Sequence, residues 1–148
     1  ILLTQLSRYP QHMAIRDRNA RYLRAQLDSI PGITLLTLSA DVTKHAWHIF
    51  VFRYNAADFG MSRNEFVAAL RAEGIPCQPG YLPLNRSQAV VDALQKSRRQ
   101  PQECPVNDHI CTHESVWLPQ NVLLGTQADM DSVVAAIAKI QAVKGGKL

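Results

Sequence analysis

Apolar residues recur through the first thirty positions in steps of four and three: Leu2, Leu6, Tyr9, Met13, Ala20, Leu23, Leu27 and Ile30, with Arg16 in the same register. A helix gathers them on one stripe. Pro10 lacks the N–H that would bond the carbonyl four residues back, so a break or kink is expected there. Pro31-Gly32 then closes the helix. Its opposite side carries Arg8, Arg18, Arg21 and Arg24 and reads as a wet face.

The period then shortens to two. Ile33 to Leu38 predicts a short strand and His48 to Tyr54 a stronger one. In the second, Phe50 and Phe52 alternate with Ile49 and Val51, so both faces are apolar, as in a strand covered on both sides. Ser62-Arg63-Asn64-Glu65 is a capping box opening a helix that turns Phe66, Val67 and Leu70 inward. Gly74 stops that helix, Ile75 packs back on its last turn, and Pro76 bars continuation. An irregular stretch over 75–84, with a short strand near Cys77, leads to helices near 86–96 and 102–114. Val116 to Leu118 predicts another strand, stopped by Pro119. The last helix opens at Thr126 with Asp129 as acceptor and presents Met130, Val133, Val134, Ile137 and Ile140. Lys139 and Lys144 lie toward its end, where the helix dipole favours cations. The tail from Gly145 to Leu148 is expected to fray. The order predicts an α/β (α+β-like) fold: a small antiparallel or mixed sheet with helices packed on it and a long amino-terminal helix.

Length and composition narrow the picture. The 148 residues suit a single domain, 1–148, and 47% hydrophobic with 19% charged residues is globular usage. A net charge of +4 is mild and scattered, apart from Lys96-Ser97-Arg98-Arg99, so no nucleic-acid footprint is expected. No apolar run approaches a membrane span of about 20 residues. The cysteines Cys77, Cys104 and Cys111 are odd in number and without framework spacing, which fits a reduced, cytoplasmic compartment. The first residues do not form a signal peptide. The absence of an initiating methionine suggests a chain cut from a longer one.

Little of the usual catalytic equipment is present. His109 and His113 share a helix face, but Cys111 points elsewhere and no fourth ligand has zinc spacing, so no metal is expected. A Cys-His nucleophile pair lacks a third orienting group. The glycines form no phosphate-cradling loop. Asn85-Arg86-Ser87 matches a glycosylation acceptor by chance. Two other clusters are more informative. His45-Ala46-Trp47-His48 precedes the hydrophobic strand, and Pro79-Gly80-Tyr81-Leu82-Pro83-Leu84 is a rigid loop that holds an aromatic hydroxyl in place.

The run from His45 through Tyr54, followed by Met61 through Leu84, resembles the carboxy-terminal part of the DegT/DnrJ/StrS family. These are pyridoxal-phosphate (PLP) aminotransferases acting on keto-sugar nucleotides and cyclitol ketones. Gln5 to Ile33 and the segment from Trp117 to Thr126 fit the same pattern, so the resemblance covers essentially the whole chain. The Gly-Tyr-Leu-Pro-Leu version looks closest to members that aminate inositol-type ketones. The resemblance implies the small domain of a fold-type-I enzyme, closing one wall of a substrate site whose PLP lies in a large domain. The family's cofactor lysine, its pyridine-contacting aspartate and its phosphate-binding residues would lie upstream of Ile1. None of Lys44, Lys96, Lys139, Lys144 or Lys147 sits in the family's lysine motif. No catalytic residue, cofactor or metal is therefore assigned to this chain. Tyr81 and His45 carry over as the substrate-binding positions. Asn107-Asp108-His109 departs from the family's usual Ala-Glu-Arg and reads as surface drift.

A substrate-side domain, inactive alone, is thus expected, with its PLP domain as native partner. A stand-alone binding module and a self-assembly domain are the alternatives. Exposure of Leu2, Leu3 and Leu6 predicts a homo-oligomer through the amino-terminal helix.

Overall fold

The computed structural model describes residues 2–144, with the side chain of Lys144 excluded. The expectations for that side chain and for residues 145–148 lie outside the described residues. Helix α1 (Leu2–Leu27) is followed by strands β1 (Ile33–Leu35) and β2 (Ile49–Tyr54), then helices α2 (Ala56–Phe59) and α3 (Arg63–Ala72). Strand β3 (Gln78–Pro79), helices α4 (Gln88–Lys96) and α5 (Pro105–His109), strand β4 (Ser115–Pro119) and helix α6 (Gln127–Lys144) complete it.

The sheet runs β1-β2-β4-β3 and every pairing is antiparallel. Its register sorts the side chains. Phe50 lies opposite Leu118 and Phe52 opposite both Val116 and Leu35, so these residues share a face. That face is the core. Phe50, Phe52, Tyr54, Val116 and Leu118 are buried with Leu23 and Leu27 of α1, Phe66 and Leu70 of α3, and Met130 and Ile137 of α6. The Tyr54, Phe59 and Phe66 rings pack together at centroid distances of 4.6 to 5.2 Å.

The other face is not covered as the strand pattern predicted. Ile49, Val51 and Arg53 are only half-buried, beside Trp117 and Ser115 of β4. The core cluster draws its helical residues mainly from α1, α3 and α6, with Phe59 from α2, and these back the Phe50 side. Apolar residues on both sides of β2 therefore mark one core face and one half-open face.

Pro10 does not end the first helix, which runs unbroken from Leu2 to Leu27. The first turns are exposed, Leu6 to 64%, so water can take the carbonyl that the missing N–H leaves. The stripe divides along its length. Met13, Arg16, Ala20, Leu23 and Leu27 are buried, whereas Leu2, Leu3, Leu6 and Tyr9 face outward. The capping box of α3 is present with both of its hydrogen bonds. Gly74 closes that helix at φ +84°, and the Ile75 N–H returns to the Leu70 carbonyl at 3.1 Å. α5 starts later than predicted, with Pro105 in its first turn. It then widens into a π-helical turn over Ile110–Glu114.

Candidate functional site

Tyr81 stands two residues past β3, at the start of the loop that leaves it. The Gly80 N–H donates to the Ser115 carbonyl at 2.8 Å, tying the loop to β4. A Cβ at Gly80 would lie 2.7 Å from the Cys111 carbonyl oxygen and from the Ser115 Cβ, so only glycine permits this approach. The tie sets the Tyr81 ring on Trp117, with centroids 5.5 Å apart and planes at 19°. Stacking of this kind contributes about 0.5–1.5 kcal/mol beyond area burial. Tyr81 nevertheless remains 63% exposed, and its hydroxyl has no hydrogen-bond partner among the described residues.

Beside it lies a largely apolar groove of about 610 Å³, lined by Tyr81, Leu82, Leu84, Cys104, Asn107 and Cys111 among others. Such a volume lies within the range of small-molecule sites. The groove is supported from below by Asp108, which is buried and accepts from Arg86 Nε at 2.8 Å. Of Asn107-Asp108-His109, the outer two are exposed and Asp108 is buried. Asp108 ties α5 to the turn before α4, and its neighbour Asn107 lines the groove. Three buried polar atoms at or near this face, Trp117 Nε1, Asn85 Oδ1 and Asp108 Oδ1, have no partner among the described residues.

His45 occupies a separate place. It lines a depression of about 250 Å³ between α1 and the segment from Leu38 to Trp47, with Asp17, Arg21 and Lys44. It also lines a second hollow beside Ile49 and Val51 on the half-open face. Tyr81 lines neither of these depressions, so within this chain the two predicted residues do not share a pocket. Trp47, buried to 4%, has a left-handed backbone at φ 47°. That conformation costs about 1–2 kcal/mol for a residue with a side chain. Three contacts offset it. The Trp47 N–H donates to His45 Nδ1 at 3.0 Å, its indole Nε1 donates to Asp17 Oδ1 at 2.9 Å, and its ring stacks on Phe50 at 6.0 Å. Arg21 first, and Trp47 second, hold the Asp17 carboxyl below its ordinary value of 3.8. Asp17 and Trp117 were not picked out as site residues. An aspartate four residues before Arg21 on an arginine-rich face was the available signal for the first. The second could be read only as a strand residue.

His109 and His113 do share a face, their rings stacked at 4.9 Å. His109 Nε2 lies 3.0 Å from Glu114, which also accepts from Arg53 Nε at 2.5 Å. Arg53 above all holds the Glu114 carboxyl below its ordinary value of 4.5. Among the described residues no group of three or more His, Cys, Asp or Glu side chains is placed to hold a metal ion, and no helix is long and apolar enough to cross a membrane.

Known proteins share the fold. The chain is 26% identical over 152 residues to the L-glutamine:2-deoxy-scyllo-inosose aminotransferase of Streptoalloteichus tenebrarius, covering 95% of this chain and 36% of that relative. Its fold matches the crystal structure of 3-amino-5-hydroxybenzoic acid synthase with a TM-score of 0.73 at 24% identity, over 94% of this chain and 36% of the synthase. A DegT DnrJ EryC1 StrS aminotransferase from Brucella abortus matches with a TM-score of 0.72 at 24% identity, over 95% and 34% of the two chains. The chain thus spans about a third of the length of the proteins it matches. The family model of the DegT/DnrJ/EryC1/StrS aminotransferases matches residues 1–138, and the chain belongs to that family.

Proposed function

We propose that this chain is the substrate-side, carboxy-terminal domain of a PLP-dependent aminotransferase acting on a keto-sugar nucleotide or a cyclitol ketone. Tyr81 and His45 contact the substrate, and PLP is held by a large domain of the same enzyme. The observation that carries this reading is Tyr81, whose ring is clamped on Trp117 while its hydroxyl is exposed and unbonded. Polyhydroxylated substrates present oxygens that such a hydroxyl can bind. The cyclitol ketone in the name of the Streptoalloteichus relative supports the substrate class.

The described lysine side chains do not fit PLP. An aldimine lysine is desolvated, so that it is neutral at working pH, and it stands beside a phosphate cradle. Lys44 and Lys96 are exposed, and Lys139 is ion-paired to Glu73 at 2.9 Å on the surface. No step of the chemistry is therefore assigned to this chain, whose part is to bind and orient. The exposed Leu2, Leu3, Leu6 and Tyr9 favour assembly of two copies through α1.

Joining the chain to the large domain of the Streptoalloteichus relative tests the proposal. The expected result is glutamine-dependent amination of 2-deoxy-scyllo-inosose or of a keto-sugar nucleotide. A folded, PLP-loaded hybrid inactive on both would overturn it.

A further inference from the structure

The contacts around His45 decide which of its nitrogens is available, and so what it can do. Its Nδ1 lies 3.0 Å from the Trp47 backbone N–H. A backbone N–H can only donate, so Nδ1 is the acceptor and, in the neutral ring, the proton sits on Nε2. The geometry that delivers this N–H is unusual. Trp47 is left-handed, at φ 47°, and its amide closes a short loop back to the side chain two residues earlier. What holds Trp47 there lies on another element. Its indole N–H is bonded to Asp17 of α1 at 2.9 Å, and its ring lies against both Phe50 and the His45 imidazole, the latter at 4.1 Å. Arg21, bonded to the other Asp17 oxygen at 2.8 Å, keeps that carboxylate turned toward the tryptophan.

We infer that Asp17 and Trp47 are positioning residues that lock His45 in its Nε2–H tautomer, so that His45 serves as a hydrogen-bond donor to a ligand oxygen and not as a general base. With Nδ1 occupied by the protein's own backbone and Nε2 carrying the proton, the neutral ring has no free lone pair with which to remove a proton. The ligand atom it suits is a hydroxyl, carbonyl or phosphoryl oxygen. This rests on the proposed substrate-side role of His45 for its functional meaning, but the lock itself concerns this chain alone.

The tautomer can be read directly. Long-range proton–nitrogen correlation spectra of the ¹⁵N-labelled chain, with His45 assigned by its loss in His45→Gln, report which nitrogen is protonated. They are recorded above the histidine titration followed in the same samples. The exposed His48 supplies the reference for an unconstrained ring. His45 is expected as a single Nε2–H species. In Asp17→Ala, and in Trp47→Phe, which keeps a buried ring but removes the indole donor, its Nδ1–H population should rise several-fold toward the His48 mixture. Two results would overturn the inference. One is a wild-type His45 with the His48 mixture of tautomers. The other is a locked His45 indifferent to both substitutions, which would leave Asp17 and Trp47 without a positioning role. The proposed function fails separately, through a His45→Ala hybrid enzyme with unchanged turnover.

Discussion

Asn19 is the polar residue on which the junction of α1 with the carboxy-terminal half depends most. It is completely buried, and its side-chain amide donates to two carbonyls of the turn before α6, those of Leu123 at 3.0 Å and Gly125 at 2.8 Å. Asn19→Ala removes both donors and leaves two acceptors facing a small void. The bond to Leu123 is buried, so stranding that carbonyl costs about 2 kcal/mol, and the part-buried one to Gly125 about 1 kcal/mol. The expected loss is thus about 3 kcal/mol, a large share of the roughly 5–15 kcal/mol that stabilises a typical domain. Urea unfolding followed by tryptophan fluorescence reads it directly. With a slope of about 2 kcal/mol/M, the midpoint should fall by about 1.5 M with the slope unchanged. Asn19→Asp should cost more, because a carboxylate offers the carbonyls no donor. A midpoint shift below about 0.3 M in Asn19→Ala would refute the reasoning, since it would mean that the amide adds nothing at this junction.

Three further outcomes are expected. The chain should sediment as a dimer or higher oligomer, and the pair Leu2→Glu and Leu6→Glu should return it to a folded monomer, because neither side chain belongs to the monomer's core. Incubation with PLP, borohydride trapping and peptide mapping should find no lysine labelled stoichiometrically, since the described lysines are exposed or ion-paired. Glu114, held below its ordinary value of 4.5, contributes stability that is complete above that pH and fades as pH falls through its lowered folded value. Urea midpoints of Glu114→Gln and the parent should therefore differ at neutral pH and converge in acid. A constant difference would contradict the pairing with Arg53 and His109.

What the sequence made legible followed local rules. The capping box at Ser62, the Gly74 stop and the Thr126–Asp129 opening of α6 are short-range hydrogen-bond patterns, and each appears where the spacing placed it. The long helix was legible as a stripe, yet neither its continuity through Pro10 nor the outward turn of its first third could be read from periodicity. Both depend on whether anything packs against Leu2 and Leu6. The apolar alternation of β2 was overread for the same reason. Ile49 and Val51 are hydrophobic, but coverage is decided by the helices available, and those back the Phe50 side. Short α2, capped by Asn55, was missed because four residues carry no period. The fixed loop around Tyr81 was legible because it holds prolines and a glycine. Its Trp117 platform arises only when β3 and β4 pair, and the bond from Trp47 to Asp17 spans thirty residues that no local pattern joins.

The central claim is that Tyr81 serves the substrate and not the fold. Tyr81→Phe keeps the ring on Trp117 and removes only the exposed hydroxyl, so stability should stay within about 0.5 kcal/mol of the parent. In the hybrid enzyme bearing its PLP domain, the same substitution should lower kcat/KM about tenfold or more, the weight of one hydrogen bond to substrate of roughly 1.4 kcal/mol. Paired thermal melts and kinetics on the one variant give both numbers. An unchanged melting temperature with a tenfold loss of kcat/KM is the predicted result. Unchanged kcat/KM with a lowered melting temperature would contradict the account.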